Sequence, residues 1–372
     1  MKSLLGRAFL SRLAGLGLLT GLFLGVGCAG TAPLSLGEAI DDLLADYAVA
    51  GSPGVAVMVL EGGQVLHSEG YGLADLAEGR PLTPSTPIRL ASLSKALTAM
   101  AIVVLADEGS LDYDDAVVEW VPELDRFETI TVRHLLNHTS GLPDYYETEA
   151  LEALGQAGDG QWSVTNADAV ALYETWGELE FEPGSRYEYS NPGYEVLGLL
   201  VERVSGRSFG DFLADEIFEP LGMDTAVVRE GPDVAIPGRA VGYRESAEGW
   251  LEDDAHWGNG LMGAGGVYAS LEDLQRWDEA LNQGELVSEA AYDEIFTPAV
   301  LNDGRESPYG FGWNLEDLDG RAAIHHTGSW VGFRTAIAHY PDDDVTIIVL
   351  SNATAPAEEL RDAIAEMVFG RW

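Results

Sequence analysis

Ala91-Ser92-Leu93-Ser94-Lys95-Ala96 is the stretch on which the reading of this chain turns. Lys95 is the only lysine after Lys2 in 372 residues, and every other basic side chain beyond that point is arginine. A guanidinium does not release its proton near neutral pH, whereas a desolvated ammonium does. Ser-x-x-Lys is also the spacing at which an amine can help activate a serine nucleophile. The chain has 21 serines, so a serine three places before a lysine also arises by chance and the motif requires company.

Outward from Ser92 the pattern turns helical. Leu97, Met100, Ala101, Val104 and Leu105 recur at helical spacing until Gly109 ends the run. Ser92 and Lys95 are thus expected near a helix start and on one face, where the helix N-terminus favours developing negative charge. Upstream, Ile40, Leu43, Leu44 and Tyr47 suggest a first helix, and 54–60 and 64–71 read as strands joined at Glu61-Gly62-Gly63. The middle, about 110–300, alternates short helices with Gly- and Pro-containing loops and shows few strand signals. The end returns to strands at 309–314, 322–326, 334–340 and 345–351, with a closing helix over 356–369. Strands at both ends imply one sheet assembled from distant segments. The expected class is therefore α/β (α+β), with a sheet lobe of about 36–90 and 307–372 and a mainly helical lobe inserted over about 91–306.

Length and an apolar content of 46% fit a globular chain with a large core. Residues 1–27 place Lys2, Arg7 and Arg12 before an apolar stretch and contain no acidic residue, the layout of a signal peptide. Cys28, the only cysteine, follows Leu24-Gly25-Val26-Gly27 and is the expected lipidation site; ordinary cleavage just beyond it is the alternative. In either case the mature domain, 28–372, is exported, periplasmic or extracellular, and touches a membrane only through the anchor. A net charge of −42 argues against nucleic acid as a partner and suggests a salt-adapted source. No cofactor is expected. His134 and His138 have a zinc-like spacing without a third ligand, so no metal is expected either.

Two more elements accompany Ser92 and Lys95. Tyr189-Ser190-Asn191 lies in a loop before the helical run 194–204, and His326-Thr327-Gly328 is expected to end a strand. With these, Arg133-His134-Leu135-Leu136-Asn137-His138-Thr139-Ser140-Gly141-Leu142, Gly263-Ala264-Gly265-Gly266 and Tyr309-Gly310-Phe311-Gly312-Trp313 occur in an order that resembles the serine β-lactamase and penicillin-binding-protein superfamily. The likeness is greatest to its class C branch of β-lactamases, D-alanyl-D-alanine carboxypeptidases and esterases, and it covers nearly the whole mature chain.

The resemblance implies a β-lactamase/transpeptidase-like fold and a serine hydrolase working through an acyl-enzyme. Ser92 would be the nucleophile, Lys95 its proton acceptor or relay, and Tyr189 a second acid/base group whose pKa falls beside a cation. Asn191 would orient Lys95 and hold substrate, and the N–H groups of Ser92 and Ser329 would form the oxyanion hole. Thr327 and Gly328 would border the substrate with His326. This histidine replaces the usual lysine and, being mostly neutral, would attract an anionic β-lactam less; Arg334 would restore an anion contact if it points inward. The implied substrates are small esters or D-amino-acid amides and peptides, with room for weak β-lactam hydrolysis. The alternative is a penicillin-binding sensor that is acylated but turns over poorly.

Overall fold

A computed structural model describes residues 34–371 apart from 147, 158–161 and 163, so the leader and Cys28 lie outside the described residues. Near the N-terminus, helix α1 (Leu36–Leu43) precedes a hairpin of β1 (Val55–Glu61) and β2 (Gln64–Tyr71). Gly62 and Gly63 close this hairpin with φ of 60° and 72°, the left-handed pair that a tight two-residue turn requires. After the helical lobe come β3 (Asn314–Leu318), β4 (Arg321–Trp330), β5 (Phe333–Tyr340) and β6 (Val345–Ser351). The six strands form one antiparallel sheet in the order β3-β4-β5-β6-β1-β2, so β1 pairs with the last strand, Val55 opposite Ser351.

Both faces of this sheet are covered, which explains the unbroken apolar runs of its central strands. Val55, Val57 and Val59 of β1 pack with Ile347 and Val349 against α1 and the closing helix, Ala357–Gly370. Ala56, Met58 and Leu60 face the opposite way and share a cluster with the helical lobe. Asn352 ties the two ends of the chain together: its Oδ1 accepts from Gly54 N–H at 2.7 Å, while its Nδ2 donates to the carbonyl of Val241 at 2.9 Å.

Helix α2 (Ser94–Asp107) enters that second cluster, and every residue from Ser94 to Leu105 is buried. The apolar spacing seen in the sequence marks only part of a helix that is covered all round. Burying side chains such as Leu97, Met100 and Ile102 stabilises this position by about 1.5–3 kcal/mol each. Its polar residues are satisfied by one segment. Val267 N–H donates to Ser94 Oγ at 3.2 Å, Lys95 Nζ donates to Ala264 O at 3.1 Å and Thr98 Oγ1 donates to Gly263 O at 2.7 Å.

Three expectations need correction. The stretch 309–314 is a turn rather than a strand: Gly312 takes φ 81°, Gly310 N–H bonds Trp313 O, and β3 begins only at Asn314. His326-Thr327-Gly328 lies inside β4 rather than at its end, because pairing with β5 continues through Ser329 and Trp330. The middle also holds short strands, Val227–Val228, Tyr243–Ser246, Gly249–Glu252 and Val267–Ala269, too brief for sequence alternation to register.

An excess of acidic charge on a folded chain repels itself, and added salt shortens the reach of that repulsion from ~10 Å at 0.1 M to ~3 Å at 1 M. Thermal unfolding in 0.05–2 M KCl should show the midpoint rising by several degrees; a flat or falling profile would contradict the salt-adapted reading.

Candidate active site

The position of Ser92 is prepared by the turn that leads into α2. Ala91–Leu93 forms one 3-10 turn, with Ala91 held at φ 51°, a costly conformation for a residue with a Cβ. Leu90 is pinned on two sides, its N–H donating to Val267 O at 2.9 Å and its carbonyl accepting from Thr335 Oγ1 at 2.8 Å. Strand β4 closes over this turn at Gly328. A Cβ there would lie 2.3 Å from Leu90 O and 3.1 Å from Ser92 N, so only glycine permits the approach. Strand β3 pairs with β4 only up to His325, leaving the edge from His326 to Trp330 without a neighbouring strand. Ser92 and Ser329 both line the cavity at this edge, with Ala91, Asn191, Ala264, Gly265 and Trp330 among the other walls.

Lys95 is fully buried. Its Nζ donates to Asn191 Oδ1 at 2.8 Å and to Ala264 O at 3.1 Å, and sits 4.9 Å from the centre of the Tyr189 ring. Asn191 reaches it from the first turn of helix α3 (Asn191–Ser205), which Ser190 caps by accepting from Gly193 N–H. Burial pushes Lys95 down to about 7, with Glu195 acting in the opposite direction. An amine in this state exchanges its proton near neutral pH.

Tyr189 departs from expectation. It is 38% exposed, yet burial of the rest of the phenol raises its pKa well above the ordinary value, against the smaller effect of a hydrogen bond with Ser92. The cation lies over the ring face, and Lys95 is itself biased towards the neutral amine. In the resting site burial thus favours the protonated phenol of Tyr189 beside an amine that can exchange its proton near neutral pH. The ring is held by His138, 4.4 Å away between centres; His138 has φ 57° and accepts from Ser190 N–H through Nδ1 at 3.1 Å.

His326 is buried and does not line the Ser92 cavity. Its Nδ1 donates to Thr327 O at 2.7 Å, which leaves Nε2 to accept from the Tyr309 hydroxyl at 2.9 Å. Burial, then the nearby Lys95, pushes it down to about 3, so it is neutral. Thr327 and Arg334 line a second groove with Gly328, Thr354 and Glu358, and this groove shares the Ser329 wall with the Ser92 cavity. Arg334 Nη1 donates to Val331 O and Phe333 O, so the contact that inward orientation would give is absent from the Ser92 cavity itself. His134 caps a short helix through Thr131, and among the described residues no group of three metal ligands exists.

Sequence reasoning missed Arg89 and Glu195 on the cavity wall, whereas Tyr146, which follows Gly141-Leu142-Pro143 and whose place in the sequence fits a cleft wall or surface cover equally, does line it. Glu195 follows Asn191 by one helical turn and stands in the apolar run Tyr194-Glu195-Val196-Leu197; an acidic residue on that buried face was the available signal.

The family model described as Beta-lactamase matches residues 40–369. Penicillin-binding protein 4* of Bacillus subtilis is 36% identical over 332 residues, covering 85% of this chain and 72% of that protein. The D-aminopeptidase of Brucella canis is 31% identical over 312 residues, covering 82% of this chain; the chain spans only 58% of the length of that relative. Among solved structures, the octameric penicillin-binding protein homologue from Pyrococcus abyssi superposes with a TM-score of 0.76 at 27% identity, over 90% of this chain and 77% of that one. The D-amino acid amidase of Ochrobactrum anthropi, at 24% identity and a TM-score of 0.75 over 90% of this chain and 99% of that one, shares the fold.

Three outcomes follow from the geometry. Lys95→Arg keeps the charge but not the exchangeable proton, and should lower kcat/KM by about 10³-fold or more; a fully active variant would remove Lys95 from proton transfer. With the neutral amine required, wild-type kcat/KM should rise with pH through an apparent pKa near 7 and stay high above it. Gly328→Ala should force β4 away from Ser92 and cost about 10²–10³-fold in kcat, measured beside the thermal midpoint to separate site distortion from unfolding.

Proposed function

The chain belongs to the beta-lactamase family of serine hydrolases, and we propose that it hydrolyses D-amino-acid amides and peptides, and small esters, through an acyl-enzyme on Ser92. The observation that carries this reading is the buried, proton-exchanging Lys95 held by Asn191 and Ala264 O one helical turn after Ser92. The D-aminopeptidase relatives support the choice of substrate class. Neutral His326, engaged by Tyr309, leaves no permanent cation at the position where an anionic β-lactam would look for one. Weak β-lactam hydrolysis is the most this arrangement favours.

In this mechanism Ser92 Oγ attacks the carbonyl carbon while its proton passes to the Lys95 amine. The oxyanion is stabilised by the N–H groups of Ser92 and Ser329. Collapse breaks the bond to the leaving nitrogen or oxygen, which takes the Tyr189 proton; Lys95 then restores the phenol. Water adds to the acyl-enzyme by the same route in reverse, releasing the carboxylic acid and free Ser92. The groove lined by Thr327 and Arg334 adjoins the cavity at Ser329 and offers a cation to a leaving group that ends in a carboxylate. Export with a lipid at Cys28 belongs to the same proposal and rests on the sequence of residues 1–28 alone.

Time-resolved intact mass with D-phenylalanine p-nitroanilide, its L-enantiomer, p-nitrophenyl butyrate and nitrocefin tests the reading, with Ser92→Ala as control. The expected result is a transient adduct and continuing release from the D-amide and the ester, with little from nitrocefin. A lasting nitrocefin adduct without turnover would instead identify a penicillin-binding sensor.

A further inference from the structure

The cavity beside Ser92 has an acidic side chain on its wall that the acyl-transfer steps do not use. Glu195 is fully buried, lines that cavity, and forms no ion pair among the described residues. Its Oε1 accepts from the Tyr146 hydroxyl at 3.0 Å and its Oε2 from Gly263 N–H at 3.1 Å. Each carboxylate oxygen offers a further lone pair. A carboxylate held by neutral donors away from water is costly unless a cation completes its surroundings.

Among the described residues no cation of the chain forms an ion pair with Glu195, and Lys95 acts on it only through its field. Lys95 donates to Asn191 and Ala264 O; burial pushes its amine down and pushes the Glu195 carboxyl up, so when the amine gives up its proton the one nearby charge that favours the Glu195 carboxylate is lost. Arg89, on the same wall, donates from Nε to Gly265 O at 3.0 Å and from Nη1 to Asn259 Oδ1 at 2.8 Å, and lies 5.4 Å from the centre of the Trp330 ring. The other titratable groups around the site are the phenols of Tyr145, Tyr146, Tyr189 and Tyr194 and the neutral imidazoles of His138 and His326, none of them a cation.

We propose that Glu195 is the recognition site for a free ammonium on the acyl part of the substrate, so that the enzyme selects unblocked aminoacyl compounds over N-acylated ones. The proposal rests on the acyl-transfer reading above and names which part of the substrate is read. Tyr146 and Trp330 supply aromatic walls that favour a cation. The net charge of −42 draws cationic substrates towards the protein. A bound ammonium also cancels the field by which Glu195 holds a proton on Lys95, so the arrival of the right substrate frees the amine that must accept the Ser92 proton. Selectivity is then expressed in kcat as well as in KM.

A merely structural Glu195 would anchor the Gly263-Ala264 turn and affect all substrates alike, and kinetics separate the two roles. The first assay compares D-phenylalanine p-nitroanilide with its N-acetyl derivative on wild-type and Glu195→Gln enzyme. Wild type should prefer the free amine, and Glu195→Gln should lower the ratio of the two kcat/KM values at least tenfold, with Glu195→Asp restoring part of it. An equal loss on both substrates would overturn the proposal.

The second assay follows p-nitrophenyl butyrate, which has no amine, with D-phenylalaninamide and its N-acetyl derivative as inhibitors. The inhibition constant of the amine should rise at least tenfold in Glu195→Gln while that of the N-acetyl compound stays put. Amine inhibition that is absent in wild type, or that survives Glu195→Gln, overturns the ammonium site. Glu195-dependent amine inhibition without any p-nitroanilide turnover supports the site and overturns only the amide-hydrolysis reading.

Discussion

One desolvated ammonium sets the terms for this molecule. Lys95 rides on a helix whose residues are buried from Ser94 to Leu105, and among the described residues it has no ion-pair partner. Asn191 and the carbonyl of Ala264 hold it instead. Neutral acceptors position the amine without locking its proton in place, which a carboxylate in direct contact would do. The helical lobe is arranged to bring these acceptors from α3 and from the 263–267 segment. Gly263 is needed for that approach, since a Cβ there would come within 2.0 Å of Tyr194 O.

The sheet meets the same demand from the other side. Its six strands come from both ends of the chain, so the sheet that lays β4 against the turn carrying Ser92 is completed by pairing the N-terminal hairpin with the C-terminal strands. Gly328 sets how close the two come, and the unpaired edge beyond His325 leaves room for an extended substrate. Long-range pairing of this kind slows folding, because loop closure precedes the contacts that offset it. It also makes the site sensitive to global stability: the serine and the strand edge facing it belong to segments more than 200 residues apart in sequence.

His326 shows how a polar side chain can serve the site from behind. Its imidazole is absorbed into a chain from Thr327 O through its ring to the Tyr309 hydroxyl. Tyr309 and His138 in turn pack around Tyr189. The imidazole thus belongs to a buried scaffold behind the phenol, while the cavity wall itself carries Arg89, held by Gly265 O and Asn259, and the acidic Glu195.

Residues with local signatures were legible before any coordinates. The lone Lys95 three places after Ser92, the hairpin at Gly62-Gly63, Tyr189-Ser190-Asn191 ahead of a helix, and apolar strand runs at both ends each state their structure through spacing or turn chemistry. The turn at 309–313 did not, because its aromatic residues read as strand until Gly312 packs on α2, where a Cβ would meet Ala96 Cα at 2.7 Å. Nor did the raised pKa of Tyr189 or the place of Glu195, since desolvation is a property of what surrounds a group in space and not of its neighbours in sequence. The sequence by itself determined which side chains are present and which local elements carry them. Only the tertiary structure decided which of those groups lose their water, and that loss pushes Lys95 down and Tyr189 and Glu195 up.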